Sequence, residues 1–289
     1  GEVARTLHEG GVLIGHDDAL GLALAETRET LASDSATTVF EATFEHGGVL
    51  IRADILERDE GGRYRMVEVK SSATVKPYHL QDCAVQAWVV DGAGYPLKRV
   101  ELAHVNNGFV YPGGGDYRGL LIHNDVTDDI LPLMEQVPQW ILSFQEMLAG
   151  PMPPIAAGEQ CTSPYACPFL NHCALPQAEY PVAMLPFAGA LARRLEKSGI
   201  RDVRDIPEGK LVKDVHQRIR RATIANTHEL DDEARAKVAA LPYPRYYLDY
   251  ETIQFVVPEW VGTRPYEQLP FQWSCHVEHA DGTLTHREF

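Results

Sequence analysis

Apolar and polar positions alternate with a period of two over residues 39–45, 50–56 and 64–70, the spacing of half-buried β-strands. His46-Gly47-Gly48-Val49 separates the first two runs and Glu60-Gly61-Gly62 leads into the third. A Gly-Gly pair between alternating runs predicts a hairpin, and the three runs together predict an antiparallel meander. Ahead of it, residues 2–9 and 18–32 carry short apolar stripes at helical spacing. Behind it, Lys76-Pro77-Tyr78 opens a helix expected to reach about Val90, because proline is tolerated in a first helical turn. Residues 97–105 predict a fourth strand. Asp125-Val126-Thr127-Asp128-Asp129 sets acids in the first turn of a helix expected to continue to about Leu148. Pro151 to Pro154 reads as a linker, and residues 187–240 as charged helices broken at Ser198-Gly199-Ile200. Residues 246–252 and 271–276 read as strands.

Composition changes this picture in three respects. At 289 residues, 45% hydrophobic and 23% charged, the chain has the make-up of a soluble globular protein of one large or two modest domains. It contains neither a signal peptide nor an apolar run long enough to span a bilayer, so no membrane partner and a cytoplasmic location are expected. The formal charge of −15 argues against holding nucleic acid by a general positive field. It leaves open a site in which divalent cations, held by clustered carboxylates, supply that charge locally. Gly1 falls inside one helical pattern and Phe289 inside one strand pattern, which predicts a piece of a longer protein.

The meander carries the first candidate site. If Gly47 and Gly48 form a two-residue turn, the ladder sets Glu41 opposite Asp54, with Cβ atoms roughly 5 Å apart. Two carboxylates that close repel unless a cation or a proton lies between them. On the next strand Glu68 and Lys70 share a face, while Val67 and Val69 point the other way. Asp and Glu on adjoining strands suit Mg or Mn, and a neighbouring lysine can stabilise charge or orient the attacking water in phosphodiester hydrolysis. A solvated charged face gives the same spacing.

The runs Arg52-Ala53-Asp54-Ile55-Leu56 and Val67-Glu68-Val69-Lys70-Ser71-Ser72, followed by a helix carrying Gln86, resemble RecB-family PD-(D/E)XK nucleases. That group includes CRISPR-associated exonucleases with an iron–sulfur cluster. EVKSSATVKPYHLQDCAVQAWVV, HVNNGFV and CTSPYACPFLNHC look like the bacterial domain-of-unknown-function family 2779. The resemblance implies a restriction-endonuclease-like α/β core, a mixed sheet flanked by helices. It also implies metal ligands at Asp54 and Glu68, a catalytic Lys70, an assisting Gln86, and nucleic acid, DNA before RNA, as partner. His79, Cys83 and Gln86 share one helix face by spacing. Two positions depart from the pattern. The first-helix histidine ligand has only His8 as a counterpart, with Glu41 as a substitute ligand, and Val90 stands where the family has a tyrosine after the glutamine.

Cys161, Cys167 and Cys173 follow a C-x5-C-x5-C spacing that is not a zinc-finger pattern. It resembles the C-terminal cysteines of the iron–sulfur nucleases, implying a structural 4Fe–4S cluster. Zinc held with His172 is the alternative, and Cys83 is a weaker fourth ligand. Ser198-Gly199-Ile200 resembles the turn of a helix-hairpin-helix element. Arg218, Arg220 and Arg221 form either a phosphate-facing patch or a solvated helix face. Asp249 and Glu251, two apart on a strand, resemble the first motif of RNase H-like DEDD exonucleases, which bridge two metals. The organisation expected is a nuclease-like domain over 1–150, a Cys-rich metal-binding segment over 151–178, a helical linker over 179–242 and partial RNase H-like strands over 243–289.

Overall fold

A computed structural model describes residues 1–289 apart from 9, 16–18, 34–35 and 174–176. The chain divides into two compact units: residues 1–153 with 250–273 and 289, and residues 154–249 with 274–288.

In the first unit the elements are α1 (Glu2–Thr6), β1 (Val12–Leu13), α2 (Leu20–Ala32), β2 (Thr38–His46), β3 (Val49–Arg58), β4 (Tyr64–Lys70), α3 (Pro77–Gly92), β5 (Leu97–Val105), β6 (Leu121–Asp125), α4 (Thr127–Met134) and α5 (Val137–Ala149). The strands form one six-stranded mixed sheet in the order β1-β2-β3-β4-β5-β6. β2, β3 and β4 make the expected antiparallel meander, and His46 pairs with Val49 across the Gly47-Gly48 turn. Both glycines have positive φ, 58° and 78°, the conformation that such a turn demands. β4 and β5 run parallel, joined by α3, and β6 returns antiparallel to β5. The helix expected from residues 125–129 to about Leu148 begins there but is two helices, α4 and α5, and the strand β6 that precedes it is not predicted by the sequence pattern. His123 on β6 reaches Glu101, so one polar side chain of that strand finds its partner inside the sheet.

Side chains from α2, α3, α4 and α5 bury one face of the sheet, with Ala23, Leu31, Cys83, Ala84, Ala87, Val90, Ile130 and Val137 packed against Ala42, Phe44, Ala53, Leu56, Met66 and Leu102. On the opposite face Ala4 of α1 packs with Phe40, Ile55, Val67 and Ala103. The alternation of the strands therefore changes phase. Phe40 and Ala42 lie two apart yet face opposite cores, and so do Ile55 and Ala53. Register is unchanged on either side, with Phe40 opposite Ile55 and Ala42 opposite Ala53. The phase change falls on Glu41, whose φ of 56° is left-handed, and on its counterpart Asp54. One residue of each strand steps out of the ladder where the two acids stand, and such steps re-aim side chains.

The loop after β5 makes a smaller apolar cluster of Val105, Phe109, Tyr111 and Leu120 with Val256, Val257 and Tyr266. Tyr111 N–H donates to Thr263 O at 3.0 Å, and Tyr117 Oη donates to Pro258 O at 3.3 Å.

The second unit contains α6 (Leu170–Cys173), α7 (Gly189–Lys197), α8 (Asp214–Ala225) and α9 (Asp232–Ala239). Val182, Leu185, Ala188, Ala192, Leu195, Val203, Ile206 and Leu211 form its core. The turn at Gly199, φ 80°, leads into a single 3-10 turn at Val203–Asp205 rather than directly into a second α-helix. β7 (Arg245–Ile253), β8 (Leu269–Glu278) and β9 (Leu284–Glu288) form a three-stranded sheet in that order. No helix of the described residues is long and apolar enough to cross a membrane.

Candidate metal and catalytic site

β4 carries Glu68 and Lys70 on the sheet face covered by α3, whose inward residues include His79, Cys83 and Gln86, all buried. Asp54 sits on the neighbouring strand at the end of the β3–β4 ladder, one pair beyond Ile55 and Val67. Its Oδ2 accepts a hydrogen bond from Val69 N–H at 2.7 Å, which takes the place of a ladder bond and fixes the carboxylate against β4. Lys70 Nζ donates to Glu68 Oε1 at 2.7 Å and to Asp82 Oδ2 on α3. Sequence reasoning missed Asp82. It lies four residues before Gln86 on the same helix, and that spacing is the one signal for it, masked because an acid on a helix suggests a solvated face.

The electrostatics of the three acids follow from burial. Glu68 is 6% exposed. Burial, and then the charge of Asp54, push its carboxyl up to about 7 despite the attraction of Lys70. Desolvation also raises Asp54, against the hydrogen bond from Val69 that favours its ionised form. Glu41 is raised by desolvation and by Asp54, while Arg52 and Arg5 oppose the rise. Desolvation would lower the Lys70 amine, but Glu68 and Asp82 more than compensate and hold it above its usual range. Cys83 is an inert neighbour, its thiol pushed up to about 12 by burial and then by Glu68.

Two buried oxygens at this site, Glu68 Oε2 and Gln86 Oε1, have no hydrogen-bond partner among the described residues. A buried acceptor left unpaired costs about 1–3 kcal/mol. A cation removes that cost together with the repulsion among the acids, so the donor chemistry of Asp54 and Glu68 fits a hard divalent ion. The fit rests on these two carboxylates. Among the described residues no three His, Cys, Asp or Glu side chains stand around one metal position. Glu41 is turned to Arg5 at 3.5 Å and Arg52 at 3.8 Å. His8 is engaged by Glu57 through Nδ1 at 2.7 Å.

The cysteine and arginine candidates and Asp249 belong to the second unit. Cys167 N–H donates to Cys161 O at 2.8 Å, which draws two of the cysteines together along the backbone. Cys161 is buried, Cys167 half-buried and Cys173 exposed on α6. Among the described residues these cysteines are not part of any group of three or more His, Cys, Asp or Glu side chains around one metal position. Arg221 pairs with Glu229 at 3.1 Å, Arg218 with the same carboxylate at 4.0 Å, and Arg220 Nε donates to Ile206 O at 2.6 Å. That arginine patch is committed to internal partners. Asp249 and Glu251 are exposed on β7.

Residues 246–289 match a family model described as Domain of unknown function (DUF2779). The match supports the relation to that family over β7, β8 and β9. No curated protein matches the chain. A solved structure titled "Crystal structure of SSO0001" is 12% identical, with 53% of this chain and 92% of that chain covered and a TM-score of 0.21, too low to carry an argument.

Proposed function

We propose that the first unit is a metal-dependent phosphodiesterase of the PD-(D/E)XK type, acting on nucleic acid, with DNA the substrate favoured by the sequence resemblance. The observation that supports it best is the meeting of Asp54, Glu68 and Lys70 on adjoining strands, with one Glu68 oxygen buried and unpartnered. In this reading Asp54 and Glu68 hold Mg or Mn. An ion held there would supply Lewis acidity to the phosphate and to an attacking water. Lys70 stabilises charge on the phosphate or orients the water, and Gln86 supplies a polar oxygen from α3. Glu41 contributes negative potential beside Asp54. The test is release of nucleotides from linear duplex and single-stranded DNA in Mg or Mn. Lys70→Ala is expected to abolish release, and a Lys70→Ala protein that cuts as fast as its parent refutes the assignment.

A second reading, a nucleic-acid-binding module that does not cut, is favoured by the absence of a third converging ligand among the described residues. DNA bound but intact in both metals selects it.

A further inference from the structure

We propose that Asp82 is the positioning residue for Lys70: from α3 it holds the lysine amine at the site together with Glu68. The inference rests on the reading of Lys70 as catalytic.

Lys70 is the last residue of β4, and its flexible stem loses rotamer freedom if the amine is to stay in one place. Glu68 alone is a poor anchor. It is buried, it shares its surroundings with Asp54, and its carboxylate is required by the ion. Asp82 differs in its exposure and in not being one of the two acids assigned to the ion. It comes from another element, its side chain is 43% exposed, and the amine contacts both it and Glu68. Because Asp82 and Gln86 lie one helical turn apart, a single rigid helix sets both the lysine and the glutamine.

The experiment compares parent, Asp82→Asn and Asp82→Glu in two assays on the intact chain. In the first, reductive methylation at fixed pH is followed at Lys70 by mass spectrometry. Asp82→Asn is expected to label roughly two- to fivefold faster, the factor carried by a partly exposed charge pair, and Asp82→Glu to label like the parent. Equal labelling in all three overturns the proposal whether or not the protein cuts DNA. In the second, DNA cleavage in Mg or Mn, Asp82→Asn is expected to lose kcat with little change in KM, and Asp82→Glu to recover it. An unchanged kcat in Asp82→Asn also overturns the proposal. A parent that cuts nothing while Asp82→Asn labels faster refutes the nuclease reading and upholds the positioning of Lys70. Thermal unfolding of each variant verifies that it is folded.

Discussion

The left-handed backbone at Glu41 makes a prediction whose sign is opposite to the ordinary one. In the middle of a regular strand, glycine is about 0.5–1 kcal/mol less favourable than alanine, because it loses more freedom on folding. A left-handed conformation costs a residue with a Cβ about 1–2 kcal/mol, and glycine escapes that cost. With φ at 56°, Glu41→Gly is therefore expected to be more stable than Glu41→Ala by about 1 kcal/mol. Both variants lose the same ion pairs to Arg5 and Arg52 and the same repulsion from Asp54, so these effects cancel in the comparison. The assay is urea unfolding followed by tryptophan fluorescence. Trp88, Trp140, Trp260 and Trp273, all 4 tryptophans of the chain, lie in the first unit and so report on it. At an m-value of about 2 kcal/mol/M the midpoints should differ by about half a molar, glycine higher. A glycine variant with the lower midpoint would refute the left-handed step, and with it the explanation of how Glu41 and Asp54 leave the ladder.

Two acids give opposite slopes of stability with pH. Glu68 has its folded pKa raised to about 7 from 4.5. The stability it contributes is present below 4.5 and lost as pH rises to about 7, by a few kcal/mol at most. Thermal unfolding in chelator should thus fall across that window in the parent and stay flatter in Glu68→Gln. Glu57 has its pKa lowered to about 2, chiefly by the His8 hydrogen bond and then Arg65. Its contribution is present above 4.5 and lost as pH falls toward 2, so His8→Ala should lower stability above 4.5, by about 1 kcal/mol for a partly exposed pair, and the difference from the parent should close as pH falls toward 2. With a thiol reagent, native protein should expose Cys173 at once and Cys83 only on unfolding. Protection of Cys161, Cys167 and Cys173 together, with release of iron or zinc on denaturation, would show that the cysteines converge on a metal after all.

The hairpin is legible in the sequence because a two-residue Gly-Gly turn leaves one register, and that register alone sets Glu41 against Asp54. The alternation of β4 likewise places Glu68 and Lys70 on one face, and Pro77 marks the first turn of α3. What is not legible depends on partners distant in sequence. β6 shows no clear alternation, and what fixes it is β5, with His123 and Arg65 both answering the buried Glu101. Glu41 gives no local sign of a positive φ, since the sequence around it alternates like an ordinary strand. Asp82 looks like any helix acid until the end of β4 is brought beside it. The arginines at 218, 220 and 221 give no indication that Glu229 and the Ile206 carbonyl engage them.

The cluster that joins Val256, Val257 and Tyr266 to Val105, Phe109 and Leu120 bears on how this protein can be taken apart. The family match starts at residue 246, and a cut there follows a boundary of sequence similarity that is not a boundary of packing. The upstream piece would keep Phe109 and Leu120 without their cover, and the downstream piece would carry Val256 and Val257 as bare apolar surface. Val256 and Val257 also line a cleft of about 240 Å³ together with Val69, Lys70 and Ser71, so the same cut opens one wall beside the lysine. Activity lost on such a cut would report a missing wall as readily as a missing catalytic group. Point substitutions in the uncut chain are the sounder way to divide the labour of its two units.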